Sequence, residues 1–388
     1  MIVVISATSA VAGGSVTYLV NLVPALAELD SRNRYIVLLS RYQKKVRLGL
    51  PVNFCIKRVD FPRPSLLWRL VWEQSYLPVQ LWRWKADVLY ATTDIAPVFA
   101  PCPIVLAVRN PNPYYKMAIS RNRSTKFTLQ RCLTRVSANK ARKVIFVSYY
   151  SRDTIAPQLG IPLEKTEVVY HGINHNVFCP YKTFKNVPLK LREKINSLRP
   201  FVLCVSTINP HKNLEALLRA WTYMNRRLRK KYKLVIAGRF SSQKYFNKLH
   251  KISNELALEK EIIFLGEVSY QNVPFLYKCA SAFVLPSLLE TFGHPLIEAM
   301  AMKVPVVAAR STCIPEIVGD SALLFDPNNY EELSHNLERV LTDEALRKEL
   351  ISKGQIRASK FSWTETAEKT LSVLELAARN SLSKGIYM

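Results

Sequence analysis

Glu290 and Glu298 bracket the stretch ETFGHPLIE, in which Thr291-Phe292-Gly293-His294-Pro295 leads into an apolar run. Proline has no N–H to lose and suits the first turn of a helix, so Pro295 marks a helix start, while Gly293 lets the backbone pass close to a bound molecule. Amide groups left open at such a start favour a phosphate or a sugar oxygen. A carboxylate is a pair of acceptors, which the diol of a ribose or hexose can satisfy. The chemistry expected here is recognition of a sugar or sugar phosphate, with Glu290 reaching in from the loop and Glu298 from the first turns of the helix. The competing reading has the two carboxylates only complementing the helix dipole.

A second such stretch is STINPHKNLEAL, which sets His211 and Lys212 after an apolar run and before a helix beginning near Asn213. A lysine there can neutralise a diphosphate that departs with negative charge. By spacing alone a solvated lysine is the alternative. The loop VAGGS (Val11 to Ser15) is not G-x-G-x-x-G, so the dinucleotide fingerprint is absent. Gly13 and Gly14 still permit close approach to a diphosphate or sugar ring, or else form a tight turn.

These loops need a scaffold that presents strand ends. Short apolar runs recur along the chain: IVVISA, RYIVLLS, NFCIKRV, ADVLYAT, IVLAVR, KVIFVS and EVVYHGIN in the first half, then FVLCVST, YKLVIAGR, EIIFLGEV, AFVLPS, VPVVAA and ALLFDP in the second. Between them stand helical patterns such as VTYLVNLVPALAEL and KNLEALLRAWTYM. That alternation predicts an α/β chain with open, doubly wound parallel sheets. Residues 180–200 turn to Lys, Asn, Pro and Leu without a strand signal and read as an interdomain connection. The expected division is 1–185 for an N-terminal Rossmann-like domain, 186–362 for a C-terminal one, and 363–388 for a helix returning to the first. In such folds ligands bind beyond the carboxyl ends of the strands.

The 388 residues exceed one ordinary core and suit two domains. With 49% hydrophobic and 22% charged residues, the chain has ample material for packed interiors. Seven scattered cysteines without a C-x-x-C pair argue for free thiols in a reducing compartment, and against a disulfide framework or structural zinc. The apolar N-terminus lacks the basic segment of a secretory signal and reads as a first buried strand. The most hydrophobic window, Val88 to Val108, is interrupted by Asp94, Pro97, Pro101 and Pro103, so no membrane span is expected. The net charge is +26, and it is uneven: residues 1–190 hold 27 Lys+Arg against 9 Asp+Glu, leaving 28 against 20 in the remainder. No acid occurs between Ile95 and Arg152, where Arg109, Arg121, Arg123, Lys126 and Arg131 are among the basic residues. Such a field attracts anionic lipid, phosphorylated acceptors or nucleic acid.

The segment PSLLETFGHPLIEAMAMKVPVVAARSTCIPEIVGDSALLFDP resembles the hallmark region of retaining glycosyltransferase family 4, with Glu290 and Glu298 filling its E-x7-E pair. STINPHKNLEALLRAW, ATSAVAGGSVTYLVNL and KVIFVSYYSRDTIAPQLGIPLEKTEVVYHGIN are similar to other segments of that family, in the same order. The resemblance implies a GT-B fold, in which two Rossmann-like domains face a central cleft. It implies a metal-independent, retaining hexosyltransferase with a GDP- or UDP-sugar as donor and no cofactor. Carried over, Glu290 contacts the donor sugar and Lys212 the leaving diphosphate, as the catalytic pair. Glu298 takes the ribose; the backbone at Phe292, Gly293, His294 and Pro295, with Gly14 from the first domain, completes the donor site.

Two departures bear on this assignment. Family members often carry an arginine where Ser206 and Thr207 stand, which leaves Arg239 or His211 to supply the second phosphate cation. They often carry a His-Asp pair where this chain has Arg109 and Asn110, which together with Gly13 are assigned to the acceptor side. The expected partners are a lipid-linked or polysaccharide acceptor, mannose being the favoured sugar, and an anionic membrane surface met by the basic first domain, for a cytoplasmic enzyme peripherally attached. The alternatives are a nucleotide-sugar epimerase or phosphorylase of the same fold and, more remotely, a basic nucleic-acid-binding protein. The last has neither an RNP-like interleaving of aromatics nor a helix-turn-helix signal.

Overall fold

The computed structural model describes residues 1–9, 14–43, 48–61, 66–115 and 124–382, with backbone alone at 66, 124, 126 and 380–382. The chain forms two compact units, Met1–Gly172 with Ser362–Met388, and Ile173–Phe361.

In the first unit, β1 (Ile2–Ser6), β2 (Arg34–Ser40), β3 (Phe54–Val59), β4 (Val88–Ala91), β5 (Ile104–Val108), β6 (Lys143–Phe146) and β7 (Thr166–Val168) form one parallel sheet. Its strand order is β3-β2-β1-β4-β5-β6-β7. Successive side chains point to opposite faces, so Val3 and Ile5 enter one apolar layer while Val4 enters the other. The first layer holds the helix Gly14–Leu29 and the helix Trp363–Leu382, which pack on each other and share Tyr18, Leu22, Trp363 and Leu374. The second layer holds Leu77 and Leu81, with Ala138, Ile155 and Leu159 from helices later in the chain.

The second unit repeats the plan with β8 (Phe201–Val205), β9 (Lys233–Ala237), β10 (Ile262–Gly266), β11 (Ala282–Leu285), β12 (Val306–Ala309) and β13 (Ala322–Phe325), in the order β10-β9-β8-β11-β12-β13. All of its strand pairings are parallel. The chain passes between the units at Gly172–Ile173, ahead of the 185/186 division expected from composition. The reason lies in residues 173–200, which have no strand yet pack as core of the second unit. The Phe178 ring meets Tyr270 and Tyr277 edge-on at centroid distances of 5.4 and 6.2 Å. Leu189–Ser197 winds into a helix that buries Ile195 completely.

Each sheet reverses its winding once, between β1 and β4 in the first and between β8 and β11 in the second. Loops leaving the two central strands diverge to opposite faces there and open a crevice at the carboxyl edge. In the second unit the ends of β8 and β9, next to this crevice, are packed tightly. Gly238, just after β9, has φ +150°, and a Cβ built on it would stand 1.8 Å from the Ser206 carbonyl oxygen. Replacing Gly238 by alanine is expected to destabilise the second unit by about 3 kcal/mol or more, since strain and collision coincide. The readout is the urea midpoint, with Gly49→Ala, where an added methyl meets nothing within 4 Å, expected to leave it unchanged.

Candidate functional site

After β8 the chain makes a short 3-10 turn, Pro210–Lys212, closed by bonds from the Lys212 and Asn213 amides to the Asn209 and Pro210 carbonyls (2.9 and 3.0 Å). Asn213 takes a left-handed φ of +53° and sends its side-chain amide to the Pro327 carbonyl (3.0 Å), which turns the chain into the helix Leu214–Tyr223. This bend directs Lys212 toward the loop leaving β11. Its Nζ donates to Oε1 of Glu290 at 2.6 Å, with both side chains largely buried. The ion pair is thus located at the point where the second sheet reverses.

Three carboxyl-edge loops hold the pair in place. The Leu288 amide donates to the His211 carbonyl (2.8 Å), and the Ser287 hydroxyl lies 3.3 Å from the same oxygen. From the loop after β12, the Ser311 hydroxyl donates to the Ser287 carbonyl (2.5 Å), and the Thr312 hydroxyl accepts from the Glu290 amide (3.1 Å). Arg239, on the loop after β9, stands exposed, and its carbonyl accepts from the Ile208 amide (2.9 Å). Two thiols flank the pair. Burial pushes Cys204 up to about 12 and Cys313 well above the ordinary thiol range. Neither supplies a thiolate nucleophile near neutral pH.

Gly293 precedes the helix His294–Ala301 in a left-handed conformation (φ +82°), and a Cβ there would meet Leu296 Cδ1 at 2.9 Å. Glycine therefore sets the angle at which the loop enters the helix. The Phe292 side chain is core, its ring edge-on to Phe361 at 5.7 Å. Pro295 lies in the first helical turn. Glu298 lies one turn further in, and is buried rather than solvated. The Tyr277 hydroxyl donates to its Oε2 (3.1 Å) and lies 3.3 Å from the Pro295 carbonyl. Burial pushes the Glu298 carboxyl up to about 7, although the hydrogen bond from Tyr277 works the other way. A helix-dipole role alone does not require burying a carboxylate at this cost.

The first unit builds a second charged cluster at its own reversal point, and composition did not signal it. Asp94, just past β4, is buried and accepts from the Arg109 and Asn110 amides (2.9 and 3.3 Å). The Arg109 guanidinium lies 4.1 Å from the Tyr18 ring centroid and donates to the Thr92 carbonyl. Asn110 caps its own loop, its Oδ1 accepting from the Asn112 amide and side chain. Glu73 is buried beside Arg69 (3.6 Å) and accepts from the Thr8 hydroxyl (3.0 Å) just after β1. Burial pushes both Asp94 and Glu73 above the usual carboxylate range. Gly14 opens its helix with an exposed, unobstructed backbone. Gly13, Arg121 and Arg123 lie outside the described residues, as does the side chain of Lys126.

Comparison with known proteins places the chain in a family. A model described as Glycosyltransferase Family 4 matches residues 12–177, and one described as Glycosyl transferases group 1 matches residues 189–357. The chain belongs to glycosyltransferase family 4. Among curated relatives, O-antigen chain mannosyltransferase B of Escherichia coli is 28% identical over 62% of this chain and 62% of that one. O-antigen chain mannosyltransferase RfbU of Salmonella typhimurium is 30% identical over 54% of this chain and 55% of that one. The chain therefore spans somewhat more than half the length of these relatives. Among solved structures, Anabaena HepE in complex with UDP and glucose superposes with a TM-score of 0.75 at 21% identity, covering 97% of this chain and 99% of that one. The fold is GT-B.

The residues of these sites missed by sequence reasoning are Tyr277, Thr312, Asp94 and Glu73. Asp94 carried a signal, an acid directly behind a strand end in YATTD. Tyr277 and Thr312 meet their partners across 21 and 22 residues of chain and carried none. The elevated Glu298 carboxyl has a consequence for stability. Its folded value exceeds that of the unfolded chain, so the native state holds a proton that the unfolded state has lost, and stability falls as pH rises from about 4.5 to about 7. The effect amounts to about 3 kcal/mol. Glu298→Gln keeps an acceptor for Tyr277 without the buried charge. Its thermal midpoint at pH 8 is expected to exceed that of the wild type, with the two converging at pH 5.

Proposed function

We propose that this chain is a retaining, metal-independent hexosyltransferase that moves a hexose, mannose first among the candidates, from a GDP- or UDP-sugar to a lipid-linked or polysaccharide acceptor. The observation that carries this reading is the Lys212–Glu290 pair at the reversal point of the second sheet. A largely buried ion pair gains little stability, because desolvation offsets most of the attraction. It does hold an ammonium in a fixed place without a bound anion. When a nucleoside diphosphate arrives, its oxygens compete for Lys212 and free Glu290 to accept from the hydroxyls of the donor sugar. The start of the helix His294–Ala301 contributes amides at Phe292, Gly293 and His294 for the sugar and diphosphate.

In the reaction, the bond from the anomeric carbon to the diphosphate oxygen breaks and the acceptor oxygen bonds to that carbon on the same face. The electron pair stays on the leaving phosphate oxygen, which takes the acceptor's proton, so no separate base is needed. Lys212 stabilises the charge that accumulates on the leaving group, with exposed Arg239 as the second cation. Glu298 would accept from the ribose hydroxyls. The acceptor is assigned to the first unit at Arg109 and Asn110, with Arg109 held by Tyr18 and Thr92 so that it shapes the surface near Asp94. The names of the two relatives, both O-antigen chain mannosyltransferases, support mannose and a polysaccharide product. HepE, crystallised with UDP and glucose, supports a nucleoside diphosphate. The excess of basic residues supports peripheral attachment to an anionic membrane.

A thermal-shift panel of UDP, GDP, ADP and NAD tests the reading without the acceptor, since a ligand that binds only the folded chain raises its midpoint. One nucleoside diphosphate is expected to stabilise the protein equally with and without EDTA. Lys212→Ala should weaken that nucleotide on the order of 100-fold, the worth of a contact to a charged group. Glu290→Gln should leave nucleotide affinity within about threefold and reduce transfer from the matching nucleotide sugar on the order of 100-fold or more. Stabilisation by NAD alone, or wild-type nucleotide affinity in Lys212→Ala, would remove the proposed site.

A further inference from the structure

The helical segment from Leu66 to Arg83 in the first unit seats Leu77 and Leu81 in the core, yet it also buries polar side chains and leaves a run of apolar ones outside. It comprises a helix (Leu66–Val71), a π-helical turn (Trp72–Tyr76) and a helix (Leu77–Arg83) that follow one another without a break. Surface helices bury their apolar stripe and expose their charges. Here Glu73, the segment's single acid, and Gln80 are buried, and Arg69 is turned inward to Glu73. Several apolar residues face out: Leu67 is 67% exposed, Trp68 41% and Trp82 70%, with Val71 and Val79 also exposed. Phe99, on the loop after β4, is 80% exposed and lines the same cleft as Val79 and Trp82. Apolar clefts of about 700 and about 680 Å³ flank the segment, one shared with the edge strand β3 and one with the Phe99 loop. Single exposed apolar residues are ordinary, whereas a continuous face of tryptophan, valine and phenylalanine marks a surface that meets an apolar phase.

The geometry points to this face as a docking surface for an anionic phospholipid monolayer, into which Trp68, Trp82 and Phe99 insert. The charges around the face decide the occupant. Lys57, Arg58 and Lys140 are exposed at its rim. Asp60, an acid at the rim, is paired with Arg41 at 2.5 Å. A second copy of the chain would set the same basic rim against this one, and each chain carries a net charge of +26, whereas an anionic monolayer neutralises the rim. Tryptophan is favoured where an apolar body and a polar edge meet a headgroup layer. No helix among the described residues is long and apolar enough to cross a bilayer, so attachment through this face is interfacial. The inference deepens the proposed function, since it rests on an acceptor carried at a membrane.

The test uses the full chain and vesicles of phosphatidylcholine with and without phosphatidylglycerol. Co-sedimentation is expected only with phosphatidylglycerol, and brominated lipid should quench the tryptophan fluorescence of the bound protein. The variant Trp82→Ser with Phe99→Ser should bind about tenfold more weakly, while Ile356→Ser, an equally exposed apolar residue of the second unit, should bind as the wild type does. Absence of wild-type binding, or unchanged binding by the double variant, would overturn the proposal. So would a concentration-dependent dimer that the same double variant dissolves. The nucleotide-induced thermal shift, measured on every variant, separates the two readings. If vesicle binding fails and the shift persists, docking alone falls; if no nucleotide shifts the wild type, the transferase reading falls without touching the vesicle result.

Discussion

A parallel strand cannot be reached from its neighbour by a tight turn, and the whole molecule follows from that constraint. Every connection must cross back over a face of the sheet, which covers both faces with helices and makes each strand a nearly unbroken apolar run. It also sends every strand's outgoing loop to the same edge. Where the winding reverses, at β1/β4 and at β8/β11, two outgoing loops part and leave room between them. Lys212 and Glu290 are 78 positions apart in the chain and still meet at 2.6 Å because each is a few residues past one of these two central strands. The Asp94 cluster stands in the corresponding place of the first sheet. The fold thus supplies the meeting place twice, and the loop sequences supply the chemistry.

That chemistry opposes stability. Glu73, Asp94 and Glu298 are carboxyls that burial pushes toward the protonated form, and Lys212 spends its charge on a partner inside the protein. A chain selected for stability alone would replace such groups with apolar ones of similar volume. The two sheets can carry them because the strands are saturated with Val, Ile, Leu and Phe, and because the loops bond to one another through Ser287, Ser311 and Thr312. Those three hydroxyls bond to backbone groups of neighbouring loops, and so hold the loops that carry the ion pair to one another.

Much of this was legible in the sequence for a physical reason. A strand buried on both faces has no alternation to misread, so runs such as FVLCV and KLVIA announce themselves, and the Gly-x-Pro start of the helix after Glu290 is a local signal. What escaped depends on partners distant in the chain. Residues 173–200 looked like a connection because they contain no strand, yet Phe178 and Ile195 are core. The surroundings of Arg109 were hidden as well, because nothing in VRNPNP announces Tyr18, 91 positions earlier, or the Thr92 carbonyl that hold its guanidinium. The inward turn of Glu73 depends on Thr8, 65 positions away.

The Leu66–Arg83 segment was illegible for a further reason, since its period is broken. In a regular helix Val71 and Val79, eight residues apart, would differ by about 80° around the axis at 3.6 residues per turn. A π-helical turn takes up one extra residue, so the eight-residue step spans close to the angle of seven, which is nearly two full turns. Val71 and Val79 are thereby brought onto one face, and Trp68 and Trp82 extend it at either end. The turn that does this contains Glu73, whose carboxylate is tied to Thr8 and Arg69 inside the protein. Anchoring the charge inward fixes the rotation of the segment, and the rotation is what leaves the tryptophans outside. An apolar-to-polar change at Trp82 should therefore leave the fold intact, whereas a change at Glu73 would release the rotation itself.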